Sequence, residues 1–302
     1  MSVIGRFAPS PTGELHQGSL VTAVASYLAS KTVGGEWLLR IEDVDEPRCS
    51  SRYAYAILQT LENLGFEWDR SVLYQSQRRE AYEAVFQTLF DKGFLYPCGC
   101  SRKQVADSGR LGIDGLVYNR HCFNHKSDTS KALLVRSNFA WRFHVADGIF
   151  SYVDELMGKQ TSSVAQEVGD FVVLRADGFF AYQLAVVVDD LFQGVNQVVR
   201  GSDLLHSTPR QLLLYQALNA MPPNYLHLPL IVNAAGEKLS KQTKAQAVIS
   251  TNQAGIKAVK LALYQLGQNP PAEINQLAEL WHWAFENWNV KSIRASSIIM
   301  GN

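Results

Sequence analysis

The fold is decided by the stretch Arg6-Phe7-Ala8-Pro9-Ser10-Pro11-Thr12-Gly13-Glu14-Leu15-His16-Gln17-Gly18-Ser19. It predicts a buried strand over residues 3–8 that leads through a Pro/Gly turn into an apolar helix over residues 20–30. His16 and Gly18 would then lie at the N-terminus of the helix, where free backbone N–H groups and the helix dipole favour an anionic phosphate. The stretch therefore predicts a nucleotide-binding turn.

A second segment, Lys238-Leu239-Ser240-Lys241, lies far downstream. It predicts a loop whose two lysines bridge transferring phosphates as point charges. Taken singly, the first stretch is also typical of an ordinary turn before a helix, and the second of a solvated basic loop. Their joint occurrence favours a nucleotide site that is closed from both ends.

Strands and helices alternate along the first third of the chain, which predicts a parallel sheet with both faces covered. The predicted strands span residues 36–41 and 72–75, and the helices 52–64 and 80–92. After Pro97 the chain becomes polar and rich in glycine and cysteine, which indicates an inserted module.

The rest of the chain predicts first an antiparallel region and then a return to the parallel sheet. Residues 133–183 would be antiparallel, with a hairpin turn at Arg175-Ala176-Asp177-Gly178 between strands 171–174 and 179–184. Strands 195–199 and 228–232 would rejoin the parallel sheet, with a helix over residues 208–220 between them. After residue 245 we expect helices to the end of the chain.

Composition limits the class of protein. The chain has 302 residues, and its 28 basic and 28 acidic side chains balance, so the total charge does not advertise nucleic-acid binding. We find neither a signal-peptide pattern nor an apolar run long enough to span a membrane. Four cysteines, three of them clustered, do not resemble a secreted disulfide framework. We therefore expect a cytoplasmic protein without a membrane partner.

The two segments resemble class I aminoacyl-tRNA synthetases. His16-Gln17-Gly18-Ser19 stands where that class has its HIGH motif, and Lys238-Leu239-Ser240-Lys241-Gln242 where it has KMSKS. Residues 6–19 narrow the match to the glutamyl/glutaminyl subfamily, as do Arg40-Ile41-Glu42-Asp43-Val44-Asp45 and Val199-Arg200-Gly201-Ser202-Asp203-Leu204.

The resemblance implies an α/β, Rossmann-like nucleotide-binding fold with a zinc-containing insertion and a short helical C-terminal region. Residues 1–97 and 184–240 would form the split catalytic domain, residues 98–183 the inserted zinc-binding, acceptor-type module, and residues 241–302 the KMSKS loop and helical region.

The implied chemistry is the joining of an amino acid to ATP, with magnesium, to give an acyl-adenylate and pyrophosphate. By this resemblance His16, Gly18 and Lys241 bind ATP, and His16, Lys238 and Lys241 are catalytic, with Lys241 neutralising the β- and γ-phosphates. Catalysis would consist mainly of positioning and charge stabilisation.

The amino-acid pocket implied by the resemblance suits L-glutamate, which carries two carboxylates and one ammonium. Its residues would be Arg6, Phe7, Ala8, Pro9, Ser10, Glu42, Tyr182 and Arg200. Glu42 suits the ammonium, while Arg6, Tyr182 and Arg200 suit the carboxylates. By the same resemblance, the glutaminyl branch has a neutral residue where this chain has Arg200. The arginine therefore favours glutamate as the substrate. The alternative for Arg200 is a structural ion pair with Asp203 or Asp189.

Cys98, Cys100 and Cys122 predict one zinc ion in the insertion, because thiolates are strong zinc ligands and a loop-rich module often needs a metal. Ligand chemistry alone favours His125 or His121 as the fourth donor. The truncated relatives of this subfamily place a tyrosine four residues before the last cysteine, and that resemblance implies Tyr118. Cys49 stands alone and is expected to be a packing residue. Reduced, unligated thiols are the alternative.

Three functions compete. The first is a conventional glutamyl-tRNA synthetase that charges the 3′ end of a tRNA. The second is the glutamyl-queuosine tRNA(Asp) synthetase family, short relatives that attach glutamate to queuosine in the anticodon of tRNA(Asp). The third is a non-catalytic module that binds tRNA or adenylate. The intact motifs disfavour the third, and the short chain after residue 242 leaves little room for the anticodon-binding region of the first. The resemblance therefore favours the second.

Overall fold

The structure is a computed structural model that describes residues 2–125, 139–232, 247–295 and 298–299. The strands are β1 Ile4–Phe7, β2 Glu36–Ile41, β3 Leu73–Tyr74, β4 Leu95–Cys98, β5 Arg110–Gly112, β6 Gly115–Val117, β7 Ala140–Phe143, β8 Phe150–Asp154, β9 Gly158–Ser162, β10 Phe171–Leu174, β11 Gln197–Gly201, β12 Asn224–Leu228, β13 Ile231–Val232 and β14 Ile298–Ile299. The α-helices are α1 Gln17–Lys31, α2 Ser51–Asn63, α3 Arg79–Asp91, α4 Arg102–Ser108, α5 His121–Asn124, α6 Val164–Glu167, α7 Tyr182–Gln193, α8 Thr208–Ala217, α9 Asn252–Gln265 and α10 Leu277–Asn287.

The predicted parallel sheet is confirmed. Strands β1, β2 and β3 pair in parallel, with Ile4 opposite Glu36 and Arg40 opposite Leu73. Strands β11 and β12 also pair in parallel. Asn196, the residue before β11, donates its backbone N–H to the Ile4 carbonyl at 3.0 Å. The second strand pair therefore lies beside β1, and the carboxyl ends of β1, β2 and β11 share one edge.

Helix α1 packs tightly on this sheet, because its small residues allow a close approach. It is buried from Leu20 to Ser30 over most of its positions. The closest approach is at Gly5, where a Cβ atom would lie 2.1 Å from Oγ of Ser30. A side chain at position 5 would therefore push α1 away from β1.

The inserted region is antiparallel, as predicted. Strands β10, β7 and β4 form one sheet in that order, and β8 and β9 form a hairpin. The hairpin joins the catalytic sheet, because Asp154 at the end of β8 pairs in parallel with Tyr225 of β12. The end of β8 thus extends the catalytic sheet.

Three expectations about single elements were wrong. Residues 179–184 contain only a bridge from Phe180 to Leu174, and α7 begins at Tyr182. The run Val186-Val187-Val188 resembles a strand, but it belongs to a buried helix that ends at Gly194, whose φ of 71° suits glycine.

The continuous strand expected over residues 228–232 is interrupted. Strand β12 ends at Leu228, because Pro229 has no N–H to donate to a ladder, and β13 covers Ile231–Val232. The chain after residue 245 contains α9 and α10, but it is not helical to its end: β14 pairs in parallel with β13.

The C-terminal helices pack against α1 and extend the main core. Trp281 lies in an aromatic cluster with Tyr27 and Phe66, with ring centroids 5.2 and 4.9 Å away, and donates its indole N–H to the Leu64 carbonyl at 2.8 Å. Within the described ranges, we find no helix that is both long enough and apolar enough to cross a membrane.

Candidate active site

The turn after β1 is held by its neighbours in the fold. The backbone N–H of Glu42 donates to the Pro9 carbonyl at 3.0 Å, and that of Ser50 donates to the Pro11 carbonyl at 3.0 Å. His16 is the N-cap of α1, and its Nδ1 accepts the backbone N–H of Ser19 at 3.2 Å. The predicted helix N-terminus is therefore present, with Gly18 in its first turn.

A cavity of about 490 Å³ opens at this turn. Its wall is formed by Arg6, Phe7, Ala8, Pro9, Ser10, Thr12, His16, Ser19, Thr22, Glu42, Tyr182, Val199, Arg200, Gly201 and Leu204. All eight residues expected to bind glutamate lie in this wall, together with His16. The carboxyl ends of three strands and the N-terminus of α1 thus converge on one space, which is where open parallel sheets bind ligands.

A buried ion-pair network lies beneath the cavity. The Oδ1 atom of Asp190 lies 2.7 Å from Nη2 of Arg40 and 3.3 Å from Nε of Arg6. Arg40 also lies 3.4 Å from Oε1 of Glu42 and donates to Oε1 of Gln193 at 2.9 Å. Arg40 therefore orients Glu42 directly and Arg6 through Asp190.

Burial and neighbouring charges shift the pKa of two acids in this network and of Tyr182 beside it. Burial raises the pKa of Glu42, against the opposing effect of Arg40 and Arg6. Burial acts in the same direction on Asp190, but Arg40 and Arg6 outweigh it and hold the pKa of Asp190 below its usual range. Burial, reinforced by Glu42, raises the pKa of Tyr182, so its hydroxyl stays protonated and can donate to a carboxylate.

Arg200 approaches the cavity from β11. Its Nη2 donates to Oγ1 of Thr208 at 2.8 Å, and its Nε lies 3.0 Å from Nε2 of His227. Its Nη1 is buried and has no hydrogen-bond partner among the residues that the structure describes. An unpaired buried guanidinium N–H is costly, so Nη1 is suited to donate to an acceptor.

The suggested structural pair between Arg200 and Asp189 is not formed. Asp189 accepts instead from Arg78, Gln75 and Tyr82, at 3.1, 3.0 and 2.6 Å respectively. The carboxylate is thus occupied on the far side of α7 by residues of the β3–α3 region.

Asp43 and Asp45, which follow Glu42 in the sequence, make contacts outside the cavity wall. Asp43 accepts from the backbone N–H and hydroxyl of Ser76, at 2.8 and 2.7 Å. Asp45 pairs with Arg48 and Arg175. These contacts fix the β2–α2 connection rather than the wall of the cavity.

Sequence reasoning missed Arg40 and Asp190 as parts of the site. A signal was present, because each is a charged residue within an apolar run: Arg40 in Trp37–Ile41 and Asp190 in the segment 184–191. Charged residues in such runs are buried only when they are paired.

The three clustered cysteines converge in the insertion. The Sγ atoms of Cys98, Cys100 and Cys122 all lie within 4.8 Å of one another, a group that could hold a metal ion. The Tyr118 hydroxyl lies 3.3 Å from Sγ of Cys100 and accepts the backbone N–H of Cys122 at 2.9 Å. Over the described part of the chain, no histidine belongs to this metal-capable group.

His121 and His125, the other candidate zinc ligands, are engaged with each other. Their rings stack with centroids 4.6 Å apart. Nδ1 of His125 also lies 2.9 Å from the backbone carbonyl oxygen of His121. The group that could hold a metal ion therefore consists of three thiols, with the Tyr118 hydroxyl beside Cys100. Lys238 and Lys241, with the rest of the KMSKS-like segment, lie outside the described residues.

Comparison with known proteins agrees with this geometry. Residues 2–269 match the family model "tRNA synthetases class I (E and Q), catalytic domain". A glutamate tRNA ligase from Elizabethkingia meningosepticum superposes with a TM-score of 0.83 over all of this chain and 67% of that chain, at 23% identity, which shows a common fold.

Relatives that match over nearly their full length are more similar to this chain than the Elizabethkingia ligase is. A protein of Chromobacterium violaceum named glutamyl-Q tRNA(Asp) synthetase is 52% identical over 97% of this chain and 96% of its own length. Proteins of the same name from Dechloromonas aromatica and Neisseria meningitidis are 50% and 47% identical, each over at least 96% of both chains. The chain belongs to the class I tRNA synthetase family of the E and Q type and, within it, to the glutamyl-Q tRNA(Asp) synthetases.

Proposed function

We propose that this chain activates L-glutamate with ATP and transfers it to queuosine in the anticodon of tRNA(Asp). The observation that carries the proposal is the cavity wall, in which Arg6, Glu42, Tyr182 and Arg200 meet at the N-terminus of α1. The carboxylates of glutamate would bind the guanidinium groups and the Tyr182 hydroxyl, while its ammonium would bind Glu42. The names of the full-length relatives support glutamate and tRNA(Asp) as the two substrates.

In the first step, an α-carboxylate oxygen of glutamate attacks the α-phosphate of ATP. A mixed anhydride forms, and the bond to pyrophosphate breaks. His16 and the N-terminus of α1 would hold the nucleotide phosphates, and Lys238 and Lys241 would neutralise the departing pyrophosphate. Magnesium would arrive with ATP.

In the second step, a hydroxyl oxygen of the queuosine diol attacks the acyl carbon. An ester forms, the hydroxyl loses its proton, and AMP leaves with the electron pair of the broken anhydride bond. For this step the anticodon loop must enter the same cavity.

The surface that receives the anticodon stem-loop would combine the insertion with the lysines of residues 238–260. That segment contains five lysines and no acidic residue. Contacts through phosphates would make the affinity sensitive to salt. Because ATP and tRNA, the proposed substrates, are found in the cytoplasm, we expect the enzyme to act there.

We further propose one zinc ion per chain, held by Cys98, Cys100, Cys122 and Tyr118. The metal would be structural, since all four positions of a tetrahedral site are then supplied by the protein. It would fix β4, β6 and α5 relative to one another.

The test has two parts. Pyrophosphate exchange with each amino acid alone should show activity with L-glutamate and should not require tRNA. An isolated tRNA(Asp) anticodon stem-loop that carries queuosine should then accept glutamate, and mild periodate oxidation of its diol should abolish acceptance. Exchange that needs tRNA, an inert stem-loop beside an active full-length tRNA, or efficient charging of tRNA(Glu) at its 3′ end would favour a conventional synthetase instead.

A further inference from the structure

We propose that Asp154 and His227 are positioning residues that fix the orientation of the Arg200 guanidinium towards glutamate. The inference rests on the proposed function, in which Arg200 binds a substrate carboxylate. It assigns part of the amino-acid site to a strand of the inserted region, because Asp154 ends β8 whereas His227 and Arg200 lie on β12 and β11.

The three side chains form a continuous buried chain. Oδ2 of Asp154 lies 2.6 Å from Nδ1 of His227, and Nε2 of the same ring lies 3.0 Å from Nε of Arg200. Asp154, His227 and Arg200 are 1%, 0% and 4% exposed. Water therefore cannot replace any of these contacts, and each must be made by the neighbouring residue.

The positions of the protons follow from the chemistry of arginine. The Nε–H group of Arg200 can only donate, so Nε2 of His227 must accept and its proton must lie on Nδ1. That proton is donated to the Asp154 carboxylate. Only the neutral tautomer with its proton on Nδ1 can bond to both Arg200 and Asp154.

The charge states fit this assignment. Burial lowers the pKa of His227, with the Asp154 contact opposing the shift, so the ring is neutral near neutral pH. Burial acts to raise the pKa of Asp154, but the hydrogen bonds from His227 and the backbone outweigh it and keep the carboxylate ionised. Oδ1 of Asp154 also accepts the backbone N–H groups of Leu156 and Met157, at 3.0 and 2.8 Å, which fixes the carboxylate itself.

These hydrogen bonds leave one nitrogen of the Arg200 guanidinium for a ligand. Its Nε is held by His227 and its Nη2 by Thr208, while the Tyr225 ring lies 5.1 Å below the guanidinium carbon. The remaining nitrogen, Nη1, is the one that has no partner within the described structure. Holding two of the three nitrogens from the protein side lowers the entropy cost of binding a carboxylate with the third.

The decisive experiment compares two amide variants of His227 by their KM for glutamate and for ATP in pyrophosphate exchange. Gln can place its amide oxygen where Nε2 lies, so His227→Gln should keep the acceptor for Arg200 and change the glutamate KM by less than about threefold. Asn can reach only the Nδ1 position, so His227→Asn should keep the Asp154 contact, leave Nε of Arg200 unpaired and raise the glutamate KM about 10- to 100-fold. The KM for ATP should stay within about threefold in both variants, because a positioning role concerns the amino acid. Equal effects, or His227→Gln being the worse variant, would overturn the proposal.

Asp154→Asn supplies an independent arm should a His227 variant fail to fold. Its amide oxygen would keep the two backbone bonds, and its NH₂ would then face Nδ1 of His227 and force the proton onto Nε2, against Arg200. The glutamate KM should rise about 10- to 100-fold.

Asp170→Asn is the matched control, because Asp170 is an equally buried aspartate of the same region, 3.3 Å from Nδ1 of His144. It should lower the melting temperature without changing the glutamate KM. If Asp154→Asn behaves like Asp170→Asn, the role of Asp154 is structural and the inference is wrong. Wild-type protein that shows no exchange with glutamate would refute the proposed function instead.

Discussion

Arg40 donates from Nη2 to Oδ1 of Asp190 at 2.7 Å, and both side chains are almost completely buried. Neither is expected to touch the substrate, yet the pair orients Arg6 and Glu42, which do line the cavity. The charge pattern that would recognise glutamate therefore depends on an ion pair one layer below the cavity.

Breaking this pair should destabilise the protein strongly. Arg40→Met would leave Asp190 and Glu42 without their main cation, and removing one partner of a buried ion pair costs about 3–5 kcal/mol of unfolding free energy. Denaturant unfolding measures this loss. Arg79→Met is the control, because the Arg79–Glu83 pair is largely exposed, and its loss should cost less than about 1 kcal/mol. Similar losses for both variants would show that the buried pair is not a determinant of stability.

Arg200→Gln should weaken glutamate binding much more than ATP binding. Removing one partner of a buried charge-assisted contact costs about 2–5 kcal/mol, so kcat/KM for glutamate should fall by well over tenfold in pyrophosphate exchange. Arg210→Gln is a suitable control, since Arg210 lies on α8 and pairs with Asp114 outside the cavity wall. An unchanged kcat and KM for glutamate in Arg200→Gln would assign Arg200 to structure.

Purified protein should contain one zinc ion per chain, measured by metal analysis. Cys122→Ser should lose the metal, and Tyr118→Phe should lower its affinity, because the phenol oxygen is the fourth donor that we propose. Cys49→Ser should have no effect on zinc content, since Cys49 lies outside the cysteine group. Full zinc affinity in Tyr118→Phe would point to His125, His121 or water, and metal-free protein after gentle purification would remove the site altogether.

Stability should fall as the pH is lowered from about 7 to 5. The pKa of His227 lies below its ordinary value of 6.5 in the folded protein, so the unfolded chain binds a proton first as the pH falls, and unfolding becomes easier below about 6.5. The groups that face the ring are Asp154, Arg200, Asp203 and Tyr225. The pKa of Asp154 is shifted down from 3.8, so its own contribution is lost only at lower pH.

Denaturant unfolding at several pH values checks this expectation. His227→Gln should flatten the curve between pH 5 and 7, whereas His282→Gln, at an exposed position, should leave it unchanged. The same slope in wild type and His227→Gln would place the titration elsewhere.

Local patterns in the sequence were sufficient for most of the sheet and for the turn that leads from β1 into α1. The strand Glu36–Ile41 has the predicted bounds, and α1 and α2 differ from prediction by a few residues at their ends. The turn residues 6–19 are contiguous, so their convergence on a helix N-terminus follows from local rules. Tyr182 and Arg200 were assigned to the pocket through the family resemblance, because nothing local shows that residues so far apart line one cavity.

The supporting residues could not be predicted in the same way. Asp154 and His227 are 73 positions apart in the sequence, and their contact depends on which strand of the insertion joins β12. A buried histidine in an apolar strand is by itself typical of many structural roles. Helix α7 was missed because the aromatic residues of segment 179–184 favour a strand locally, and burial on several sides of the helix overrides that preference.

The parallel pairing of Tyr225 with Asp154 also bears on how this family can diversify. An exchange of the segment 98–183 between relatives, by recombination or in an engineered chimera, would carry Asp154 with the donor and leave His227 and Arg200 with the recipient. The two parents would then have to agree at this strand end, in addition to contacts such as Asp45–Arg175 and Asp114–Arg210. We expect the insertion and the substrate site to be inherited together, and chimeras whose donor lacks an aspartate at the end of this strand to retain the fold while losing affinity for the amino acid.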